Sequence, residues 1–261
     1  ETSIPTTIMT VFGYDQIPIA VDCEAANELV NTDIMLVLDV TGSMDDSIGG
    51  TRKIESLREA VMELYDQLEP TQEKLRDAGL RLRYGVLPYS QTVNVGRLLL
   101  SEHPQNIPQK ATFPHCTWNG SGLSCNSVEK NVDAVVHGRG GGGQNQANGP
   151  WAGCIQERRT VNSIGPSSQL DVPSGALDLD INMEPIPSDD ESSWAPYLPF
   201  EARITSGWWS STFGDINGGS ACPVEARHLA EMDESNMQDA VDALTPVGGT
   251  YHDIGMIWGA R

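Results

Sequence analysis

The sequence predicts an α/β fold in which a central, mostly parallel sheet is flanked by helices. Ile34 to Leu38 form an unbroken apolar run that ends at Asp39, as expected for a strand buried on both faces of a parallel sheet. An amphipathic helix is predicted at 52–69, because apolar residues recur there at helical spacing, and Pro70 is expected to end it. Another helical turn or two is predicted at 71–78. A second strand is predicted at 80–89, where one face of the alternating pattern is apolar.

Shorter signals complete the first part of the chain. Residues 1–30 hold two short β-like runs, Thr6–Phe12 and Ile17–Asp22, which indicate a small hairpin or an addition to the edge of a sheet. Residues 31–100 form the first part of the main domain. Within it, Thr92–Leu99 is predicted to be a third strand that pairs antiparallel with the second.

The second half of the chain changes character. Residues 101–223 are rich in Gly, Pro, Ser and Asn and lack regular periodicity, which predicts a long loop-rich insertion. Regular sequence resumes at 224–261, the predicted continuation of the main domain. There Asp233 or Ser235 can cap one helix, and a Gly-rich turn leads into another.

Composition excludes some classes of partner. A net charge of −20 and a pI near 4.4 argue against nucleic acid and against anionic membrane surfaces, because proteins that bind these are basic. The acidity suits cation binding, although solubility alone also explains it. No apolar stretch has the roughly 18–20 residues of a membrane helix, and the first residues do not resemble a signal peptide. We therefore expect a soluble segment cut from a longer precursor.

The cysteines indicate disulfides rather than a zinc site. They lie at positions 23, 116, 125, 154 and 222, and no two of them form a Cys-x-x-Cys pair. Most lie in loop-like sequence, so disulfides and an oxidising compartment are expected. Four cysteines allow three pairings, and the sequence does not choose among them. We favour Cys116–Cys125 and Cys154–Cys222, which would staple the insertion.

Three oxygen-bearing side chains follow the first predicted strand. Asp39, Thr41 and Ser43 lie on a tight turn at its carboxyl end, which is where open α/β sheets place their ligands. Carboxylate and hydroxyl oxygens bind hard cations such as Mg²⁺ and Ca²⁺. The hydroxyl of Thr250, on the Gly-rich turn near the C-terminus, extends this set. The alternative is that Asp39 only caps its strand by accepting hydrogen bonds from neighbouring N–H groups.

Other polar clusters have plainer interpretations. Asp45 and Asp46 could hold a second ion, but a solvated acidic loop is the simpler hypothesis. His252 and Asp253 resemble a ligand or acid–base pair, yet both lie at the start of a predicted helix. We interpret Asp253 as an acid of the first turn, which the helix N-terminus favours, and His252 as a surface residue. The triplet at 189–191 is interpreted as a charged loop rather than a calcium site.

The sequence carries no signature of an enzyme. A haloacid-dehalogenase-like phosphatase needs a second aspartate two positions after its nucleophile, and Thr41 stands there. Neither a Gly-x-Ser-x-Gly elbow nor a Gly-x-x-x-x-Gly-Lys-Ser/Thr phosphate loop is present. We therefore expect a protein that is not an enzyme, and a metal-dependent hydrolase is a distant third hypothesis.

Two of these motifs resemble the metal site of von Willebrand factor A (VWA) domains. Asp39-Val-Thr41-Gly-Ser43 is similar to the Asp-x-Ser/Thr-x-Ser motif of that family, and Gly-Gly-Thr250 is similar to its second loop. The resemblance covers 33–100 and 224–261 and implies a Rossmann-like α/β fold. It also implies a metal-ion-dependent adhesion site (MIDAS) for Mg²⁺, with Ca²⁺ or Mn²⁺ as alternatives. The implied ligands are Asp39, Thr41, Ser43 and Thr250.

A closer resemblance, spread along the whole chain, is to the TadG-like proteins of bacterial tight-adherence (Tad) pilus systems. It implies a protein of the bacterial cell envelope, periplasmic or extracellular, with a role in pilus assembly or adhesion. The similar stretches are Leu-Val-Leu-Asp-Val-Thr-Gly-Ser-Met at 36–44, Gly-Val-Leu-Pro-Tyr-Ser at 85–90, Val-Asn-Val-Gly at 93–96, Trp-Ala-Gly-Cys-Ile-Gln-Glu-Arg at 151–158, Tyr-Leu-Pro-Phe at 197–200 and Gly-Thr-Tyr-His-Asp-Ile-Gly-Met-Ile-Trp-Gly at 249–259.

The expected partners follow from the small number of carboxylates. If Asp39 is the only carboxylate that binds the cation directly, one coordination position of the cation stays open. An acidic side chain of a protein or surface ligand would fill that position. The metal would then bridge this protein to its partner. Pilus or envelope proteins are the partners that the resemblance implies.

One feature departs from the VWA pattern. The family gains a further aspartate in a Thr-Asp-Gly-like turn after the next central strand, and this chain stops at Arg261 before such a turn. We therefore expect the C-terminal part of the sheet to be missing from this chain, or to be completed by a second chain. The alternative hypothesis for function is a structural envelope or filament component with a vestigial metal site.

Overall fold

The structure is a computed structural model and falls into two compact units, Glu1–Val30 and Asn31–Arg261. In the first unit, β1 (Thr2–Pro5) and β2 (Gln16–Ile19) pair in antiparallel fashion. The predicted run at 17–22 overlaps β2, while the predicted run at 6–12 lies outside the described residues. The residues that the structure describes are 2–5, 16–19, 30–118, 123–132, 152–160, 175–197 and 222–261.

The second unit has mixed α/β content, with four helices in its described residues. The helices are α1 (Lys53–Asp77), α2 (Gly96–Glu102), α3 (Glu234–Asp242) and α4 (His252–Ala260). The strands are β3 (Thr32–Asp39), β4 (Ser47–Ile48), β5 (Thr51–Arg52), β6 (Leu82–Tyr89), β7 (Lys110–Trp118), β8 (Leu123–Asn131) and β9 (Arg227–Ala230). Within the described part of the chain, every helix is too short or too polar to cross a bilayer.

The central sheet has both parallel and antiparallel pairings. Strand β6 lies in the middle, between β3 and β9. It runs parallel to β3, so that Asp39 and Tyr89 face each other at the carboxyl ends of the two strands. It runs antiparallel to β9. The predicted α/β class is therefore correct, and the sheet of the described residues is mixed.

Apolar clusters cover both faces of this sheet. One face packs against α1 and α3, with Leu38, Tyr84 and Val241 among its buried residues. The opposite face packs against α2 and α4, with Leu87 and Ile254 among its buried residues. The apolar run of β3 serves both faces, since alternate residues of a strand point to opposite sides. In β3 only Leu38 is fully buried, because β3 forms one edge of the three-stranded sheet.

Helix α1 does not end at Pro70, contrary to the prediction. An interior proline removes one backbone hydrogen bond and typically costs about 3 kcal/mol. Contacts beyond the proline offset this cost, because Gln72 donates from Nε2 to the Met232 carbonyl at 3.0 Å and Leu75 is buried. Tertiary packing therefore carries the helix to Asp77.

The predicted strand at 92–99 is also wrong over most of its length. Only single β-bridges occur, from Tyr89 to Val93 and from Asn94 to Cys154, and α2 begins at Gly96. Leu98, Leu99 and Leu100 follow one another, a pattern that does not alternate, and leucine is a strong helix former. All three pack in or against the cluster on the α4 face of the sheet.

The insertion contains a regular hairpin that the sequence did not predict. Strands β7 and β8 pair in antiparallel fashion over their full length. Their sequences carry Pro, His, Asn, Ser and charged residues in place of alternating apolar ones. The two strands therefore pair through their backbones without the alternating apolar pattern by which strands are recognised in a sequence.

Candidate metal centre

The turn after β3 is held between two other backbone segments. Val40, which is fully buried, donates its N–H to the Tyr89 carbonyl at 2.9 Å. Its own carbonyl accepts from the N–H of Val247 at 2.7 Å. The end of β3 is therefore fixed on one side by β6 and on the other by the chain that leads into the Gly-rich turn.

Three of the predicted metal ligands lie together on this turn. The Asp39 carboxylate accepts the Thr41 N–H at 2.8 Å through Oδ1. The Thr41 and Ser43 hydroxyls lie 3.2 Å apart. Thr41 is buried, whereas Ser43 is exposed. The structure thus groups one carboxylate and two hydroxyls at the carboxyl end of a parallel strand.

The Gly-rich loop lies directly against this turn. The Gly42 N–H donates to the Gly248 carbonyl at 2.9 Å. Gly248 has φ +68°, a left-handed conformation in which glycine carries no steric cost. Two further bonds fix the loop: the Gly249 N–H donates to Oε1 of Gln91 at 3.0 Å, and the Tyr251 N–H donates to the Ser90 carbonyl at 3.1 Å.

Thr250 lies on this second loop, but its side chain is not joined to the other three. It is exposed, and its hydroxyl makes no hydrogen bond with another described residue. The backbone contacts of Gly249 and Tyr251 fix the position of the residue itself. The structure therefore brings Asp39, Thr41 and Ser43 into one group and places Thr250 only on the adjacent loop.

The donor set fits a hard divalent cation in chemical type. It consists of oxygen atoms alone, which Mg²⁺ and Ca²⁺ prefer. An ionised carboxylate that accepts one N–H, as Asp39 does, keeps further lone pairs for a cation. Among the described residues, no group of three or more His, Cys, Asp or Glu side chains could hold a metal ion. Within the predicted set, Asp39 is the single carboxylate, and the other donors are hydroxyl oxygens.

Asp45 and Asp46 are paired with basic side chains. The Asp45 carboxylate lies 3.0 Å from the Arg52 guanidinium, and Asp46 lies 3.2 Å from the Lys53 ammonium. Both carboxylates are largely exposed, at 65% and 68% of their side-chain surface. This arrangement agrees with a solvated acidic loop, because each carboxylate already has a cationic partner.

Sequence reasoning missed Tyr89, the register partner of Asp39, and the contact that Tyr89 makes with His252. The Tyr89 hydroxyl lies 2.8 Å from Nδ1 of His252, which is exposed, in agreement with its interpretation as a surface residue. Burial raises the pKa of Tyr89, and the charge and hydrogen bonding of Asp39 raise it further. Asp39 and Tyr89 each end a predicted strand. Parallel pairing of those two strands would have predicted that Tyr89 lies beside Asp39. Asp253 lies in the first turn of α4, exposed as expected.

The triplet at 189–191 is also part of an ion-pair arrangement. Asp189 caps a short turn by accepting the Glu191 N–H at 3.2 Å. Arg159 pairs with both carboxylates, at 3.2 Å from Asp189 and 3.0 Å from Glu191. These contacts agree with the interpretation of a charged loop.

A buried arginine organises the surrounding part of the insertion, residues 152–160 and 175–197, which we call the insertion core. The Arg158 side chain is fully buried. It donates to the Asp178 carboxylate at 2.7 Å and to the carbonyls of Leu177 and Met183 at 2.7 and 2.8 Å. Its guanidinium also stacks 4.3 Å from the ring centre of Trp194. We call these contacts the Arg158 network.

The insertion core is joined at several points to the sheet and the helices that pack on it. We call β3, β6, β9 and α1 to α4 together the sheet region. The disulfide Cys154–Cys222, one of the two pairings favoured from the sequence, is present in the structure. Trp194 packs edge-on against Trp258 of α4, with ring centres 5.0 Å apart. Cys116 and Cys125 are opposite each other in the register of β7 and β8. The disulfide predicted between them involves side chains outside the described part of the structure. Cys23 also lies outside the described residues.

Comparison of the chain with protein-family models, with curated proteins and with solved structures finds no match in any of the three.

Proposed function

We propose that this protein is a metal-ion-dependent adhesion and assembly module of a bacterial cell-surface apparatus of the Tad pilus type, built on a VWA domain. The observation that carries the proposal is the hydrogen bond from Gly42 to the Gly248 carbonyl, at 2.9 Å. It places side by side two loops from distant parts of the chain. These are the loops whose sequences resemble the two halves of a VWA metal site.

The residues of this chain would hold the cation through oxygen atoms alone. Asp39 would bind it directly, and the hydroxyls of Thr41, Ser43 and Thr250 would bind it directly or through water. When bound, Mg²⁺ supplies positive charge at a position that retains exchangeable sites, since this ion usually keeps several waters. A carboxylate from a partner protein or surface fits such a site. Ca²⁺ or Mn²⁺ are alternatives with the same oxygen preference.

The proposed location in the bacterial envelope, periplasmic or extracellular, has its own support. The Cys154–Cys222 disulfide agrees with an oxidising compartment, where such bonds persist. The stretches similar to TadG-like proteins run through the insertion as well as through both loops of the site. Pilus or envelope proteins are therefore the proposed partners, and a second chain that completes the sheet is part of the same hypothesis.

A structural role with a vestigial metal site is the second candidate. The observation that favours it is the 3.2 Å contact between the Thr41 and Ser43 hydroxyls. Two hydroxyls that satisfy each other need no cation, and the Asp39 carboxylate already accepts a backbone N–H. Under this hypothesis the protein joins an envelope or filament assembly without metal.

Titration of the purified chain with Mn²⁺, followed by electron paramagnetic resonance and by competition with Mg²⁺, separates these candidates. We expect saturable binding of one ion and its loss in Asp39→Asn. The asparagine can still accept the Thr41 N–H, so the turn is retained while the charge is removed. Asp33→Asn, at the other end of β3, is the matched control and should bind as the wild type does. Absence of saturable binding in the wild type would favour the structural candidate.

The adhesive step needs its own experiment. The probe is a surface coated with a peptide that carries aspartate, compared with the same peptide carrying asparagine. We expect retention of the protein on the first surface only, in millimolar Mg²⁺, with release by EDTA. Equal retention on both surfaces, or retention that persists in EDTA, would contradict a metal-bridged contact.

A further inference from the structure

The peptide group that joins Gly248 to Gly249 is held at both of its ends. Its carbonyl oxygen accepts from the Gly42 N–H at 2.9 Å, and its N–H donates to Oε1 of Gln91 at 3.0 Å. A trans peptide group is planar, with its C=O and N–H on opposite sides, so this one group spans the space between the turn after β3 and Gln91. Its orientation keeps the Gly-rich loop, in which Thr250 is the next residue, against that turn.

The residues of the loop do not fix this orientation by themselves. A peptide group rotates through the ψ angle of the residue before it and the φ angle of the residue after it. Both residues here are glycines, which have few steric restrictions, and Gly248 already has φ +68°. A reversed peptide group would lose both hydrogen bonds at once. The side chain of Gln91 therefore selects one orientation among those that the two glycines allow.

The carboxamide of Gln91 is oriented in turn by Tyr197. A backbone N–H only donates, so the oxygen of the half-buried Gln91 carboxamide must face Gly249 and its NH₂ group must face the other way. On that side Nε2 donates to the Tyr197 hydroxyl at 2.7 Å. A reversed carboxamide would bring the NH₂ group against the Gly249 N–H, donor to donor. Tyr197 therefore stabilises the orientation of Gln91 that the Gly-rich loop requires.

Tyr197 belongs to the insertion core and is attached there through its backbone. Its N–H donates to the carbonyl of Cys154 at 2.7 Å, and Cys154 is buried and bonded to Cys222. A continuous set of contacts thus runs from the disulfide through Tyr197 and Gln91 to the Gly-rich loop. The insertion core reaches the candidate metal centre through these hydrogen bonds.

We propose that Gln91 is a positioning residue of the candidate metal centre, through which the insertion core holds the Gly-rich loop against the turn that carries Asp39. This inference rests on the proposed function, since it concerns the same site, and it gives the insertion a role in that site. Gln91 acts on the peptide group before Thr250 and not on the cation itself.

Hydrogen exchange of two backbone amides tests the role of Gln91 in the loop. Gln91→Met removes the acceptor and the donor while keeping an unbranched side chain of similar length. We expect the Gly249 amide to exchange about 2–10-fold faster, as loss of one hydrogen bond typically gives. The Gly42 amide should also exchange faster, because its acceptor belongs to the same peptide group. Unchanged exchange at both amides would overturn the proposal.

Gln156→Met is the matched control. Gln156 is also half-buried and donates from Nε2 to the Pro196 carbonyl at 2.8 Å, within the insertion core. Its loss should leave the Gly249 and Gly42 amides as they are in the wild type. Gln91→Glu provides the rescue, since a carboxylate oxygen still accepts the Gly249 N–H, and both amides should regain their protection.

Titration with Mn²⁺ measures the effect on the metal centre. We expect the affinity to fall by about 10-fold in Gln91→Met, the lower end of the range for groups that orient metal ligands. Tyr197→Phe should lose less, and the double variant should lose no more than Gln91→Met alone, because Tyr197 acts through Gln91. An equal loss in Gln156→Met would show that general destabilisation is the cause, which would overturn the proposal.

The two measurements separate this inference from the proposed function. Wild-type protein that binds no Mn²⁺ would refute the proposed function, and the exchange of the Gly249 and Gly42 amides would still decide whether Gln91 positions the loop. Wild-type binding with equal affinity in Gln91→Met would refute the role of Gln91 in the metal centre alone.

Discussion

The sheet region and the insertion core are both well packed, but different forces hold them. The sheet region has apolar clusters on both faces of β3, β6 and β9, with fully buried residues such as Ile54 and Leu244. The insertion core has few apolar anchors, Ile155 and Trp194 among them, and is organised by the Arg158 network. The first region spreads its stability over many side chains, whereas the second concentrates it on one charge and one disulfide.

This difference teaches which substitutions each region tolerates. Apolar contacts are individually small and collectively large, so loss of one side chain leaves most of the sheet region intact. A buried guanidinium is favourable only while all its partners remain, because an uncompensated buried polar group is costly. The insertion core should therefore fail as a unit, and the sheet region should weaken by increments.

The largest effect is expected for Arg158→Ala. The change removes the guanidinium from Asp178, which keeps only the Trp194 Nε1 and residue-158 backbone N–H as close donors, and from the carbonyls of Leu177, Met183 and Ser192. Breaking such a buried ion pair should lower the free energy of unfolding by about 3–5 kcal/mol. Denaturation in guanidinium chloride measures the loss. Arg159→Ala is the matched control, because that side chain is 44% exposed and solvent screens its ion pairs, so the variant should lose much less stability. Equal losses in the two variants would contradict the idea that one buried charge organises the insertion core.

The disulfide is expected to rank next. Cys154 and Cys222 close a loop with a sequence separation of 68 residues, so the double variant to serine should lose about 2–4 kcal/mol. Hydrogen exchange locates the damage: the Ile155 and Gln156 amides should lose protection, while the Val40 amide keeps it. Uniform loss of protection in both regions would show that they unfold together. That result would contradict the idea that the sheet region and the insertion core are held by different forces.

A helix cap in the sheet region should have a smaller, local effect. The Asp233 carboxylate accepts the Asn236 N–H at 2.8 Å at the start of α3. Asp233→Ala should therefore cost about 1 kcal/mol in thermal or chemical denaturation. Ser235→Ala is the control, since the sequence left either residue as the cap and the structure selects Asp233. A larger loss in Ser235→Ala would reverse that assignment.

The smallest effect concerns a carboxylate of the insertion core and depends on pH. Glu157 keeps an exposed surface, but partial desolvation by its surroundings raises its pKa, and the charges of Asp253 and Asp178 add to this. The folded state thus holds this proton more tightly than the unfolded state, so ionisation near pH 7 lowers stability and the penalty disappears below the ordinary pKa of glutamate. Glu157→Gln should be more stable than the wild type at pH 7, by less than about 1 kcal/mol after solvent screening, and equal to it near pH 3.

Thermal melts at the two pH values measure this difference. Glu73→Gln, an exposed position on α1, serves as the control and should melt as the wild type does at both. A gain for Glu157→Gln that persists at pH 3 would mean that its origin is not the charge.

Local patterns were enough to predict β3, β6, α3 and α4 of the sheet region, but not α2, which was predicted as a strand. The apolar run of β3, the alternation of β6 and the Asp233 cap of α3 are each encoded within a few neighbouring residues. The motif turn and the Gly-rich loop were predicted as parts of one site, and the structure places their backbones in contact. Local encoding therefore covers the α/β class and the two loops of the candidate site.

Partners from distant parts of the chain decided the features that were missed. Helix α1 passes Pro70 because of a contact with Met232, and the relation of Tyr89 to His252 depends on how β6 meets α4. Arg158 reads as an ordinary charged residue until Asp178 and Trp194 surround it. No periodicity or cap within the local sequence carries such information.

Helix α4 is attached at both ends to different parts of the molecule. Its first residue meets Tyr89, and at its other end Trp258 packs on Trp194 while Arg261 donates to the Asp180 carbonyl at 3.0 Å. A helix of this length is a stiff rod of roughly 13 Å, so its two ends do not move independently. A displacement of α4 at either end would therefore move both the Gly-rich loop that precedes it and its contacts with the insertion core.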